Sequence, residues 1–288
     1  LPVLKRALID YRAYTWQGMI SASLFTSRGC GLHCSFCAIR EPFRYLNAKK
    51  AAAEIDACFA LGVRHFNFED DNINLNPEFE KIIDDTASRF AGKIKISFMN
   101  GLLSAGLTRS VRQKLIRLGL THLDLSVAST VAGLRRKMKR TESVARIMRI
   151  GRHLASERIP VTVHFIIGFP GQRFSDAAGD LRALASQQAL LGPSIYYPVI
   201  ESSMFQEIKK EHGVRENDYL FFRSSAAVFD RHITRERIFT LFYLCRIINF
   251  IKELTAAHTD VQMFLQEKTR DFSPFTNELM CTAPLDRV

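Results

Sequence analysis

Apolar residues recur along this chain in two rhythms that take turns. Short runs that are continuous, or that alternate every second residue, fall at 21–26 (SASLFT), 63–68 (VRHFNF), 94–98 (IKISF), 121–128 (THLDLSVA), 161–167 (VTVHFII) and 194–199 (SIYYPV), and each predicts a strand. Between them the apolar positions step by three and four, the period of an amphipathic helix. Ala51, Ile55 and Phe59 define one helix, Phe79, Ile82, Ile83 and Phe90 a second that follows Asn76-Pro77, and Val111, Leu115 and Leu118 a third between Thr108 and Gly119. Val144, Ile147, Gly151 and Leu154 mark a fourth, and Leu181 and Leu184 a fifth that starts after Ser175.

Strand and helix alternate through six such units, which predicts an α/β chain with a parallel sheet and right-handed crossovers. Units this regular favour a partial (β/α)6 TIM-like barrel over a doubly wound sheet, with chemistry expected at the C-terminal ends of the strands. From about residue 201 the pattern turns helical, and Ile238 to Leu254 reads as one long apolar-faced helix. Residues 1–200 are therefore read as the barrel core and 201–288 as a helical C-terminal extension or lid.

At 288 residues, 47% hydrophobic and 24% charged, the chain has the make-up of a globular protein with a substantial core, which excludes a disordered chain or a small disulfide scaffold. The most hydrophobic stretch, Ile238 to Cys245, is interrupted by Thr240 and is too short to span a membrane. The net charge of +11 suits an anionic partner, whether nucleic acid, a phosphorylated substrate or an acidic membrane surface, without choosing among them. The sequence opens at Leu1 with no signal-peptide pattern, which reads as a trimmed start or the continuation of an upstream domain. Of six cysteines, three fall between residues 30 and 37, which points to a metal in a reducing compartment, with cytoplasm the expected location.

Those three stand in Ser27-Arg28-Gly29-Cys30-Gly31-Leu32-His33-Cys34-Ser35-Phe36-Cys37, just past the first strand. Thiolates at Cys30, Cys34 and Cys37, on a glycine-containing loop, can hold three irons of a cubane cluster and leave the fourth open to an outside ligand. A structural zinc with His33 as its fourth ligand is the competing reading. His33 fits better as a loop residue facing solvent.

CxxxCxxC after strand one, with the aromatic Phe36 before the last cysteine, resembles the radical S-adenosylmethionine (radical SAM) superfamily, and the resemblance runs from residue 13 to about 205. It implies a [4Fe-4S] cluster on Cys30, Cys34 and Cys37 whose open iron chelates the amino and carboxylate groups of S-adenosyl-L-methionine. One electron from the cluster then cleaves the sulfur–carbon bond to give a 5′-deoxyadenosyl radical, chemistry that belongs to the cofactor. In Phe68-Glu69-Asp70-Asp71-Asn72 it places Glu69 and Asp70 near the amino group, although the usual glycine-glycine-glutamate form is absent. Ser126 resembles the ribose contact, with Ser129 just past the same strand tip, and Arg140 aligns with the basic residue that faces the carboxylate. Phe165-Ile166-Ile167-Gly168-Phe169-Pro170-Gly171-Gln172 resembles the strand-five motif that supports the adenine, so Ile166, Gly168 and Phe169 join the cofactor-binding candidates. Tyr196 and Tyr197 on strand six are candidates for the substrate face.

Each assignment has a structural counterpart. Asp71, Asn72 and Asn74 can cap the following loop and helix, Ser126 and Ser129 can be small packing residues, one tyrosine can be core, and His164 can be a satisfied interior histidine. Cys58 and Cys245 fall on apolar helix faces and Cys281 is alone, so no second ligand set is expected.

Within the superfamily, Asp10-Tyr11 through Ser27-Arg28-Gly29 and Phe66 to Asn72 resemble the branch that usually carries an N-terminal cobalamin-binding domain. With such a domain upstream, cobalamin becomes a cofactor and methylation or rearrangement the expected reaction. Tyr11, Tyr14 and Trp16 would then form a docking surface, unless they pack on the barrel's flank. Without it, hydrogen abstraction is the simpler chemistry. The tRNA methylthiotransferase branch is similar in motifs and suits the charge, but neither a second cysteine trio nor an RNA-binding appendage is evident. The rival of a different class is an iron–sulfur binding or electron-transfer protein without turnover. The expected partners are a small-molecule substrate and a reductase, flavodoxin or ferredoxin as electron donor.

Overall fold

The computed structural model describes residues 4–39, 42–222, 227–229 and 231–256. By contacts the chain divides into two compact units, Leu1–Cys245 and Arg246–Val288. The division expected near residue 200 separates strand from helix in sequence, whereas in contacts the residues up to Cys245 belong with the strands.

Six parallel strands form the sheet: β1 (Met19–Leu24), β2 (His65–Phe68), β3 (Lys95–Phe98), β4 (Leu123–Ala128), β5 (Val161–Ile167) and β6 (Leu190–Ile195). β1, β2 and β3 pair in one ladder and β4, β5 and β6 in another. A parallel bridge between Ile96 and Leu120 joins the two. A two-residue antiparallel strand, Thr15–Trp16, covers the β1 edge. The result is a curled sheet in sequential order, a barrel left open between β1 and β6. β6 lies earlier than SIYYPV predicts. Its partner ends at Ile167, Gly168 turns away at φ +82°, and the last bond from this strand is Tyr196 N–H to the Ile167 carbonyl, so later residues have nothing to pair with.

The helices on the outer face are α1 (Ala48–Ala60), α2 (Phe79–Phe90), α3 (Arg109–Leu118), the short α4 (Ala132–Lys137), α5 (Val144–Ser156) and α6 (Phe174–Ala185). Their starts follow from side-chain caps: Asn47 accepts from Lys50 N–H, Thr108 from Val111 N–H and Ser143 from Arg146 N–H. α6 begins one residue before Ser175, because Asp176 reaches back to the Arg173 N–H. α7 (Ser203–His212) and α8 (Arg235–Ala256) follow. None of the described helices is long and apolar enough to cross a membrane.

Strand alternation sorts the residues to two faces. Leu24, Phe66, Phe68, Ile96, Phe98, Leu125, Val163 and Phe165 are buried against the helices, each contributing roughly 1.5–3 kcal/mol by leaving water. The opposite face carries Ser23, Asn67, Ser97, Asp124, Ser126 and His164, none of them fully buried. A typical closed barrel fills its centre with branched apolar side chains. Here the centre is polar and hollow, a cavity of about 1320 Å³ lined among others by Ser21, His65, Asn67, Ser97 and Asp124. Its walls are cross-linked: His65 Nδ1 lies 2.7 Å from Ser21 Oγ and its Nε2 3.1 Å from Ser97 Oγ, and Trp16 stacks on the ring at 4.2 Å. Of the proposed docking aromatics, Tyr11 is buried beside Arg6, Trp16 is half-buried on His65, and Tyr14 is exposed.

Candidate functional site

The segment that follows β2 runs alongside the segment that follows β1, and successive side chains of one grip successive residues of the other. Asp70 is buried and its carboxylate accepts from Thr26 N–H, Thr26 Oγ1 and Ser27 Oγ. Asp71 Oδ2 accepts from Gly29 N–H at 2.9 Å, and Asn72 Nδ2 donates to Cys30 Sγ at 3.3 Å. The loop is tied again at its middle, where Ser35 N–H donates to the Met138 carbonyl and the Ser35 carbonyl accepts from Met204 N–H in the first turn of α7. Phe36 packs on the apolar cluster that also holds Met138, Phe169, Met204 and Phe205. The cysteine loop is thus braced by β2, by the turn after α4 and by α7.

All three thiols line one cavity of about 320 Å³, with Asp71, Asn72, Asp124, Ser126, Arg140 and His164 on its other walls. Phe36, Cys37, Ile39, Asp71, Ser126, His164 and Ser194 also line an adjoining cavity of about 870 Å³. That larger space adds Arg28, Glu69, Ile166, Tyr196, Tyr197 and Glu201.

These walls bring together most of the residues singled out from the sequence. Cys30, Cys34, Cys37, Phe36, Glu69, Ser126, Arg140 and Ile166 face one or both cavities. Arg140 Nη1 lies 3.8 Å from Cys34 Sγ and its Nη2 3.5 Å from the Ser126 carbonyl, while its Nε is buried without a hydrogen-bond partner. Glu69 accepts from Ser23 Oγ and Asn67 Nδ2.

Four further candidates are engaged with protein. The carboxylate of Asp70 is spent inside the protein on Thr26 and Ser27, and burial pushes its pKa up against those hydrogen bonds; Asp71 takes its place on the cavity wall. Ser129 is buried and donates to Asp180, which burial likewise pushes up although Thr130 and Ser129 hydrogen-bond to it. The close approach at Gly168 is to protein: a Cβ there would meet Ile238 Cδ1 of α8 at 2.8 Å. Phe169 lies in the apolar cluster, edge-on to Tyr196 at 5.2 Å. Tyr196 is accordingly core, with burial raising its hydroxyl's pKa, whereas Tyr197 is 39% exposed at the cavity. A bulge between Ser126 and Ala128, with Ala128 at φ +60°, ends the alternation of β4 and turns Ala128 into that same cluster. Asn74 holds the Leu103 backbone at both its N–H and its carbonyl.

Sequence reading did not foresee the histidine pair around Asp124. His164 Nε2 lies 2.8 Å and His122 Nε2 3.1 Å from Asp124 Oδ1. Burial alone would raise this carboxyl, but the two histidine bonds outweigh it and pull it down to about 2, so it is ionised at neutral pH. Gly192 leaves room for the His164 ring, since a Cβ there would come within 2.5 Å of Nδ1. Cys58 and Cys245 are buried, and burial pushes the Cys245 thiol up to about 12; Cys281 lies outside the described residues.

The profile of the Radical SAM superfamily matches residues 24–184, more than half of the chain, and the chain belongs to that superfamily. No curated protein matches it. Among solved structures it is similar to the radical S-adenosylmethionine methyltransferase TsrM from Kitasatospora setae with tryptophan substrate and a SAM analogue bound, at 16% identity and a TM-score of 0.61, over 68% of this chain and 40% of that one. It is also similar to methylornithine synthase, PylB, at 14% identity and a TM-score of 0.50, over 82% of this chain and 65% of that one. A third is the cobalamin-dependent S-adenosylmethionine radical enzyme OxsB with aqua-cobalamin and S-adenosylmethionine bound, at 17% identity and a TM-score of 0.50, over 76% of this chain and 32% of that one. At these identities the likeness is one of fold, and the chain spans less than half the length of TsrM and of OxsB.

Proposed function

We propose that this chain is the radical-generating core of a radical SAM enzyme, holding a [4Fe-4S] cluster on Cys30, Cys34 and Cys37 and S-adenosyl-L-methionine beside it. The observation that carries the reading is the 320 Å³ cavity, where three thiols share the walls with an arginine whose buried Nε has no hydrogen-bond partner among the described residues. The residues fit the group. His33, the fourth ligand a structural zinc would need, is exposed. Thiols spaced around a cavity suit the separate irons of a cluster better than one zinc.

When bound and reduced, the cluster supplies the electron that cleaves S-adenosylmethionine and starts hydrogen abstraction, methylation or rearrangement of a small-molecule substrate. This chain's residues bind and orient. Arg140, aimed between Cys34 and Ser126, meets the carboxylate of S-adenosylmethionine, where a guanidinium matches the geometry. Glu69 and Asp71 supply acceptors for its ammonium, Ser126 approaches the ribose, and Ile166 offers an apolar face to the adenine. The remaining space, toward Tyr197 and Glu201, takes the substrate. A flavodoxin or ferredoxin is the electron donor, and the compartment is the cytoplasm. Cobalamin is an additional cofactor if the full protein carries a cobalamin domain, a reading supported by the resemblance at Asp10-Tyr11 and Phe66 to Asn72. The negative walls Glu69, Asp71, Asp124 and Glu201 do not favour a polyanionic RNA at this cavity.

The test is an iron and sulfide count after anaerobic reconstitution. About four irons per chain, lost in the Cys30→Ala/Cys34→Ala/Cys37→Ala protein, is the expected result. Iron retained by the triple variant, or zinc at one per chain in anaerobically purified protein, would overturn the reading.

A further inference from the structure

Among the described residues each of the three cysteines receives one N–H donor, and the donors come from three different places in the chain. Asn72 Nδ2 points at Cys30 Sγ at 3.3 Å, Arg140 Nη1 at Cys34 Sγ at 3.8 Å, and the backbone N–H of Ile39 at Cys37 Sγ at 3.5 Å. Ile39 is held by its place two residues past Cys37, and Arg140 has a carboxylate to bind. Asn72 has no such second duty. It precedes the short turn Ile73–Leu75 yet gives that turn no side-chain hydrogen bond. Its neighbours are spent elsewhere, Asp71 on Gly29 and Asn74 on Leu103, so the capping role suggested by its position is not the one it performs.

We propose that Asn72 is a positioning residue that sets the reduction potential of the cluster by donating a hydrogen bond to the Cys30 sulfur. The inference rests on the reading of Cys30 as a cluster ligand. An N–H···S bond stabilises negative charge on sulfur, and the reduced cluster carries one more negative charge than the oxidised, so the bond favours reduction and raises the potential. The same walls bring Asp71 and the ionised Asp124 close, and their charge opposes the arriving electron. A neutral amide counters that opposition without placing another cation beside the ammonium of S-adenosylmethionine. The donor also fixes the first cysteine of the loop.

The experiment is an EPR-monitored redox titration of the reconstituted full chain at pH 8 without S-adenosylmethionine, for the wild type, Asn72→Leu and Asn72→Asp, with iron counted in each. The midpoint is expected to move to more negative potential in Asn72→Leu and further in Asn72→Asp, which loses the donor and adds a charge at nearly unchanged shape. The Fe–S(Cys) stretch in resonance Raman spectra is expected to shift up in both, because a sulfur relieved of its donor bonds iron more strongly. Midpoints and stretches equal to wild type in either variant that retains its iron would overturn the proposal while leaving the cluster reading intact. A wild type that assembles no cluster would overturn both. If Asn72→Leu fails to fold, the isosteric Asn72→Asp decides alone.

Discussion

Asp71 Oδ2 accepts a hydrogen bond from the backbone N–H of Gly29, 2.9 Å away and one residue before the first thiol of the cysteine loop. Flanked by the grip of Asp70 on Thr26 and Ser27 and the contact of Asn72 with Cys30, it makes β2 the template on which the loop is laid. Three consecutive side chains do three distinct jobs because the chain there is no longer a regular strand, so alternation does not force every second one outward.

Adjacent acids at this tip should therefore behave differently. Asp70→Ala leaves the Thr26 N–H and two hydroxyls buried without an acceptor and is expected to destabilise the protein by about 2–3 kcal/mol in denaturant titration. Glu69→Gln is expected to stay within about 0.5 kcal/mol of wild type, as surface changes do, while weakening S-adenosylmethionine binding in calorimetry. Equal stability losses in the two would contradict the division of labour.

Gly168 lies against α8. At φ +82°, with Ile238 Cδ1 2.8 Å from where a Cβ would stand, Gly168→Ala is expected to cost about 1–3 kcal/mol. In an Ile238→Val background, which removes the offending methyl, the added cost should shrink by about 0.5–1 kcal/mol. Strict additivity of the two substitutions in thermal denaturation would place the strain elsewhere.

His65 gives a pH signature. Burial lowers its pKa from 6.5 to about 4, and both ring nitrogens sit beside serine hydroxyls. Between those values the unfolded chain binds the proton and the folded one does not, so stability rises with pH across the window and is lost as pH falls from 6.5 toward 4. His65→Gln should flatten that part of the stability–pH curve, and an unchanged slope would show that folding does not lower the pKa of this ring.

Much of the fold is legible in the sequence because the periods are clean: five of the six strands overlap their predicted runs closely, and Thr108 and Gly119 bracket α3 as caps. β6 is displaced because its length is set by where β5 stops, which is a property of a neighbour. The thiols are legible for the same local reason, since CxxxCxxC is a spacing. The engagements of Asp70, Ser129, Gly168 and Phe169 escape a local reading because their partners, Thr26, Asp180, Ile238 and Tyr196, lie 27 to 70 residues away in sequence. The bond between Ser35 and Met204 and the pairing of Asp124 with His164 are invisible for that reason too: each joins residues whose own neighbourhoods carry no signal of the other.

The central claim is that this cavity places reductively cleavable S-adenosylmethionine against a cluster held by Cys30, Cys34 and Cys37. It is tested most directly by mass-spectrometric detection of 5′-deoxyadenosine after anaerobic reconstitution, dithionite reduction and addition of S-adenosylmethionine. The account predicts 5′-deoxyadenosine from the wild type, none from the triple cysteine-to-alanine protein, and a marked reduction in Arg140→Met with iron content preserved. A wild type that holds four irons and yields no 5′-deoxyadenosine, or a triple variant that yields as much as wild type, would contradict it.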